Sequence, residues 1–213
     1  MNTALGVGFN VLAFTVGALV YFWEARRRNM NLSKMREVAM LGALIGVVAA
    51  SVGQWGYAVF SGSHSVGGGR TIVAGVLGGW LGVEIAKRRL GIRESTGPLW
   101  ALALPAGEAI GRIGCWFHGC CYGKVCSLPW AINGRHPTQF YLSIAAMASF
   151  GLIWWLKDRV DVFALSLLLW SIGRIIIEPL RESSTPTPWL VPSICVVVAT
   201  YATIRLVRSK QVV

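Results

Sequence analysis

The 213-residue chain is 54% hydrophobic and 14% charged, where an ordinary soluble domain is roughly 25% charged. It also holds 25 glycines, 10 tryptophans and 20 Lys+Arg against 9 Asp+Glu, for a formal charge of +11. An oily, basic chain of this kind argues against a soluble domain. It argues equally against a nucleic-acid partner, because the basic residues lie between long apolar runs instead of on one soluble face.

A helix needs about 20 mainly apolar residues to cross the hydrocarbon core. In chain order the candidate spans are Ala4 to Trp23, Val38 to Phe60, Thr71 to Ala86, Gly97 to Phe117, Thr138 to Leu156, Val162 to Leu180 and Pro188 to Val207. The third is short, and the fourth and sixth carry charges. The expected fold class is therefore an all-α integral membrane protein of about seven transmembrane helices. It is read as one polytopic membrane domain over residues 1–213 with short loops. The first span is read as a retained helix and not a secretory signal: nothing positive precedes it, and Arg26, Arg27 and Arg28 follow it.

Basic residues orient such a bundle. Arg26, Arg27, Arg28, Lys34 and Arg36 share one loop, and Lys87, Arg88, Arg89 and Arg93 share the loop two spans later. Lys157, Arg159, Arg205, Arg208 and Lys210 fall on the same side, so fourteen of the 20 basic residues are expected in the cytoplasm. The N-terminus is then outside and the C-terminus inside. The other six, Arg70, Arg112, Lys124, Arg135, Arg174 and Arg181, lie at or near the outer face.

Arg112 lies within the fourth span and Arg174 within the sixth, where an ionisable group is costly unless it meets a cavity or a partner. Glu108 stands four residues before Arg112, and Glu178 four residues after Arg174, so each arginine has an intrahelical partner within reach. If the arginines converge, they form a positive pocket suited to a phospholipid phosphate, whose oxygens match the guanidinium fork.

Two outer loops stand out. The first runs Ser61-Gly-Ser-His64-Ser-Val-Gly-Gly-Gly-Arg70 and combines three glycines with an arginine, either a flexible turn or a backbone cradle for an anion. The second runs from Gly111 to Tyr141 and holds Cys115, His118, Cys120, Cys121 and Cys126. Disulfides or plain packing rank above metal for these cysteines, because their spacings match no structural zinc pattern. Cys195 stands alone in the last span as a core residue. His136, at the mouth of the fifth span, is the best acid/base candidate; Pro137 opens the helix, and Gln139 and Tyr141 supply polar groups in its first turns. Paired glycines at Gly42/Gly46, Gly78/Gly82 and Gly107/Gly111 are expected to let helices approach closely. Trp23, Trp154 and Trp155 are read as interface anchors.

Three motifs, Gly111-Arg112-x-Gly114 with Gly119 and Gly123 downstream, Arg135-His136-Pro-Thr-Gln139-Phe-Tyr141, and Arg174-Ile-Ile-Ile-Glu178-x-x-Arg181, together resemble the bacterial prolipoprotein diacylglyceryl transferases. The glycine-rich stretch Gly68 to Gly79 is similar as well, so the resemblance runs from about Gly67 to Arg181. It implies a multi-pass enzyme of the bacterial inner membrane, its site facing the outer leaflet. Such an enzyme moves diacylglyceryl from phosphatidylglycerol to the thiol of a lipobox cysteine in a prolipoprotein, or to a related thiol acceptor, and releases glycerol phosphate.

Carried over by position, the resemblance implies that Arg112 holds the phospholipid headgroup, that Arg174 is needed for activity and that His136 is the histidine of the family's His-Pro-x-Gln motif; a base must generate the thiolate, and His136 is the expected one. Arg70, Gly114, His118, Gln139, Tyr141, Glu178 and Arg181 complete the expected substrate-binding set. The expected partners are phosphatidylglycerol, the acceptor protein and membrane lipid, with no nucleic acid, no cofactor and no metal. The sequence departs from the family where Cys115, His118 and Cys120 replace Asn, Asn and Glu, where Trp170 replaces a tyrosine, and where Arg70 takes the place of a histidine. An alternative reading is a non-enzymatic membrane protein that binds metal or senses redox through the loop 115–126.

Overall fold

The computed structural model describes residues 2–61, 72–182 and 190–210. Seven α-helices follow in order: α1 (Thr3–Arg27), α2 (Leu32–Ser61), α3 (Ile72–Arg89), α4 (Gly97–His118), α5 (Thr138–Leu156), α6 (Val162–Ile177) and α7 (Leu190–Lys210). A single 3₁₀ turn, Glu178–Leu180, extends α6. Among the described residues extended backbone is confined to isolated bridges. The segments Thr3–Arg27, Leu32–Gly53, Thr138–Leu156, Val162–Leu180 and Val191–Arg208 are long and apolar enough to cross a membrane. α3 falls short of that measure because four of its 18 residues are charged, and α4 is less apolar because it carries Glu108 and Arg112.

The helices fall into two compact units, residues 25–95 and residues 1–24 with 96–213. In the first, Asn31 caps α2 by accepting from Lys34 N at 3.1 Å. α2 and α3 then pack antiparallel at backbone contact. A Cβ on Gly82 would lie 2.8 Å from Leu41 O, and one on Gly46 3.1 Å from Gly75 O, so the spacing of these glycines fixes the interhelical distance.

The second unit has its apolar surface outside. Phe14 is 76% exposed and Val197 69%, while Arg174 is 2% exposed and Thr138, Gln139 and Ser171 are fully buried. Water would penalise that arrangement, whereas hydrocarbon suits it. A small apolar core of Ala101, Leu102, Ile153 and Val162 lies toward one end of this unit. At the same end Trp23 and Trp154 stack with centroids 4.5 Å apart, and Lys157 Nζ sits 3.8 Å from the Trp154 ring and 4.5 Å from that of Trp23. Asp161 caps α6 by accepting from Ala164 N at 3.1 Å, and Arg205 of α7 pairs with the same carboxylate at 2.5 Å. The opposite end carries the polar site.

Candidate active site

Two helices supply the charge. Pro98 opens α4, Pro105 removes one bond from its ladder, and Gly119 ends it at φ +67°. Between these points one face of α4 presents Glu108 and Arg112 a turn apart. Arg112 donates to Glu108 Oε1 from Nε at 3.0 Å and from Nη2 at 2.6 Å. On α6, Arg174 donates from Nη1 to Glu178 Oε2 at 3.2 Å and from Nη2 across to Glu108 Oε1 at 3.5 Å. Arg181, just past the 3₁₀ turn, donates to Glu178 Oε1 at 2.7 Å.

The result is one alternating chain, Arg112–Glu108–Arg174–Glu178–Arg181, that joins α4 to the end of α6. Three cations and two anions leave it one positive charge in excess. Arg174, the most buried member, also faces the Trp170 ring at 5.4 Å. There the indole supplies a cation–π surface.

The segment Gly119–Pro137 caps this end of the unit. Asn133 and Gly134 both have positive φ, the type I′ combination that folds a chain tightly back on itself. Cys126 N then donates to Gly134 O at 2.9 Å, and His136 N to Lys124 O at 3.0 Å. The cap is tied to the end of α6 by Lys124 N to Leu180 O at 2.8 Å and Glu182 N to Tyr122 O at 3.1 Å. Arg135 and Glu182 form a close ion pair across the same join. Gly123 is the crossing point: it pairs with Arg181, its N–H donates to His136 O at 3.0 Å, and a Cβ there would stand 2.6 Å from that oxygen. His136 and Arg181 thus flank a single glycine.

The sequence-predicted residues divide accordingly. Arg112, Arg174, Glu178 and Arg181 share the ion chain. His136, Gln139 and Tyr141 line the adjoining cap: Gln139 Nε2 donates to Cys120 O at 2.7 Å, the His136 and Tyr141 rings lie 6.2 Å apart, and the Tyr141 hydroxyl accepts from Trp130 Nε1 at 2.8 Å. His136 Nδ1, Gln139 Oε1 and Arg181 Nε are buried and unpartnered among the described residues. Such groups need a hydrogen-bonding ligand or water.

Gly114 and His118 face elsewhere, toward α1. A Cβ on Gly114 would meet Asn10 Oδ1 at 2.8 Å, and His118 Nε2 lies 3.1 Å from Asn10 Nδ2 with its ring against Gly6. Arg70 lies outside the described residues. Glu108 is the member that the expected site set omits, although its charge within a span was the signal. Beside the ion chain, hydrogen bonding with Cys115 and Cys120, aided by the Arg181 and Arg112 charges, draws the Cys121 thiol well below its ordinary pKa. The same sharing pushes Cys120 up.

The fold and the site define a polytopic helical membrane protein with a chain of alternating arginines and glutamates under a polar cap. A family model described as prolipoprotein diacylglyceryl transferase matches residues 7–207, and the chain belongs to that family. Among its relatives are proteins named phosphatidylglycerol–prolipoprotein diacylglyceryl transferase. That of Clostridium tetani is 32% identical over 54% of this chain and 53% of its own. That of Methylobacillus flagellatus is 28% identical over 84% and 80%, and that of Thermotoga maritima 27% over 79% and 69%. The chain thus spans about half the length of the first relative and most of the length of the other two.

Proposed function

We propose that the protein transfers the diacylglyceryl group of phosphatidylglycerol to the thiol of a lipobox cysteine in a prolipoprotein. Family membership supports the reaction class, and the observation that carries the assignment of residues is the buried ion chain with its single excess positive charge. A phosphodiester monoanion matches that excess, and guanidiniums held by carboxylates, that of Arg174 from both sides, are already oriented for it.

In this reading the acceptor thiolate attacks the glyceryl carbon that bears the phosphate. A carbon–sulfur bond forms, the carbon–oxygen bond breaks, and glycerol phosphate leaves with the electron pair. Arg112 and Arg174 hold the phosphate and stabilise the charge that grows on it, while Arg181 and Glu178 position Arg174. His136, whose Nδ1 is buried without a partner, takes the thiol proton. Gln139 Oε1 and the Tyr141 hydroxyl bind polar parts of the substrates, with Arg70 at the rim. The protein sits in the bacterial inner membrane, N-terminus outside, with the capped end toward the outer leaflet.

The test is purified protein with phosphatidylglycerol and a lipobox peptide, read as the mass gained by the peptide and the glycerol phosphate released. Turnover that is lost in Arg112→Ala supports the assignment. An inactive wild type, or undiminished turnover by Arg112→Ala, overturns it.

A further inference from the structure

The mechanism leaves three thiols beside the ion chain unused. Cys115, in the last turn of α4, and Cys120 and Cys121, just beyond it, bring their sulfurs within 4.8 Å of one another. The backbone is shaped to do so. Gly119 turns left-handed at φ +67°, Cys120 N returns to Cys115 O at 3.1 Å, and Cys121 itself takes φ +65°. A non-glycine residue holds that conformation at a cost of about 1–2 kcal/mol. The turn leaves Cys121 Sγ 3.6 Å from Cys120 Sγ.

These spacings are those of a coordination face. Sulfurs about 2.3 Å from a tetrahedral closed-shell cation stand about 3.8 Å from each other. The Cys120–Cys121 separation is already close to that edge, and the other two need shorten by no more than about 1 Å. The other nearby Cys and His side chains stand outside this group of three sulfurs: His118 Nε2 is engaged with Asn10 at 3.1 Å, and the backbone of Cys126 runs along the cap, where its N–H meets Gly134 O at 2.9 Å. Cys120 is exposed and the other two half-buried, so the fourth side of the face opens outward.

Charge favours the same occupant. Three thiolates and a dication carry one net negative charge, opposite in sign to the single excess charge of the neighbouring ion chain. The linear spacing of the cysteines hides this arrangement because it depends on left-handed backbone at Gly119 and at Cys121 itself.

We propose that Cys115, Cys120 and Cys121 form a three-thiolate site for a thiophilic closed-shell cation of the zinc or cadmium class, with its fourth coordination position open. The site stands independently of the transferase reaction. The test titrates the full chain, reduced and in detergent, with Cd²⁺ and follows the ultraviolet thiolate-to-cadmium band. The expected result is one Cd²⁺ per chain. Affinity should fall at least about tenfold in Cys120→Ser and in Cys121→Ser, since losing a ligand costs no less than losing a group behind one. Cys126→Ser and Cys195→Ser should bind as wild type, with thermal unfolding confirming that every variant is folded. The proposal is overturned by a wild type without the band, by a band that survives in Cys115→Ser/Cys120→Ser/Cys121→Ser, or by a disulfide joining two of the three in protein isolated without oxidant.

Discussion

Glu108 is the hinge of the ion chain, and replacing it with glutamine separates its electrostatic role from its shape. The carboxylate accepts two close bonds from Arg112, at 3.0 and 2.6 Å, and a longer one from Arg174 at 3.5 Å. Glutamine keeps an acceptor oxygen but not the charge. Exchanging a charge-assisted bond for a neutral one costs about 1 kcal/mol, so the two Arg112 bonds set the expected loss at about 2 kcal/mol. The chain would then carry two excess positive charges instead of one. Glu108→Gln should therefore be less stable yet bind glycerol phosphate more tightly, whereas Arg174→Gln should bind it more weakly. Unfolding in mixed micelles measures the first effect and calorimetric titration the second. A double-mutant cycle with Arg112→Gln should return a coupling of about 2 kcal/mol; additivity within about 0.5 kcal/mol would refute the pairing. Glu108→Gln binding no tighter than wild type would remove the anion-site argument even if the pairing held.

Three further outcomes are expected. Arg174→Lys should be no more active than Arg174→Gln, both about a hundredfold below wild type. One ammonium cannot span Glu108 and Glu178 as the fork does, and rescue by lysine in the peptide-lipidation assay would contradict this. Gly123→Ala places a Cβ 2.6 Å from His136 O and 2.9 Å from Leu180 O; both are backbone atoms, so overpacking should cost about 3 kcal/mol or more and turnover should fall with it, as melting and activity curves would report. Gly82→Ala places a Cβ 2.8 Å from Leu41 O between α2 and α3; it should lower the melting temperature, and an unchanged value would mean that the two helices are not held at backbone contact.

The apolar runs of the sequence located the seven helices of the described residues, five of them long and apolar enough to cross a membrane, and the boundaries differ where charged residues enter. α2 begins at Leu32 and not Val38, since Lys34 and Arg36 are compatible with a helix that projects beyond the hydrocarbon. α6 tightens to a 3₁₀ turn at Glu178 because Pro179 lacks the N–H to continue it. The pairs Arg112–Glu108 and Arg174–Glu178 were legible because helical neighbours recur every four residues. Their junction at Arg174–Glu108 was not, since it depends on how α4 and α6 are set against each other. Gly114 and His118 are instructive in the same way. Their position in the motif places them near the site, but the face of α4 that they share with Asn10 and Gly6 turns them to α1. The cysteine face depends on backbone angles at Gly119 and Cys121 that no spacing rule records.

The stacked Trp23 and Trp154 with Lys157 mark one rim of the bundle, and Arg112 lies six residues short of the α4 terminus at the other. Six residues are about 9 Å of helix, so Arg112 sits well inside the end of α4. In the proposed reading, a headgroup held by Arg112 must be drawn to that depth between the helices. Once the glyceryl bond is cut, the freed headgroup has no tail holding it at that depth, whereas the product's tail returns to its neighbours. In that reading, the depth of one arginine gives the membrane itself a part in separating the two products.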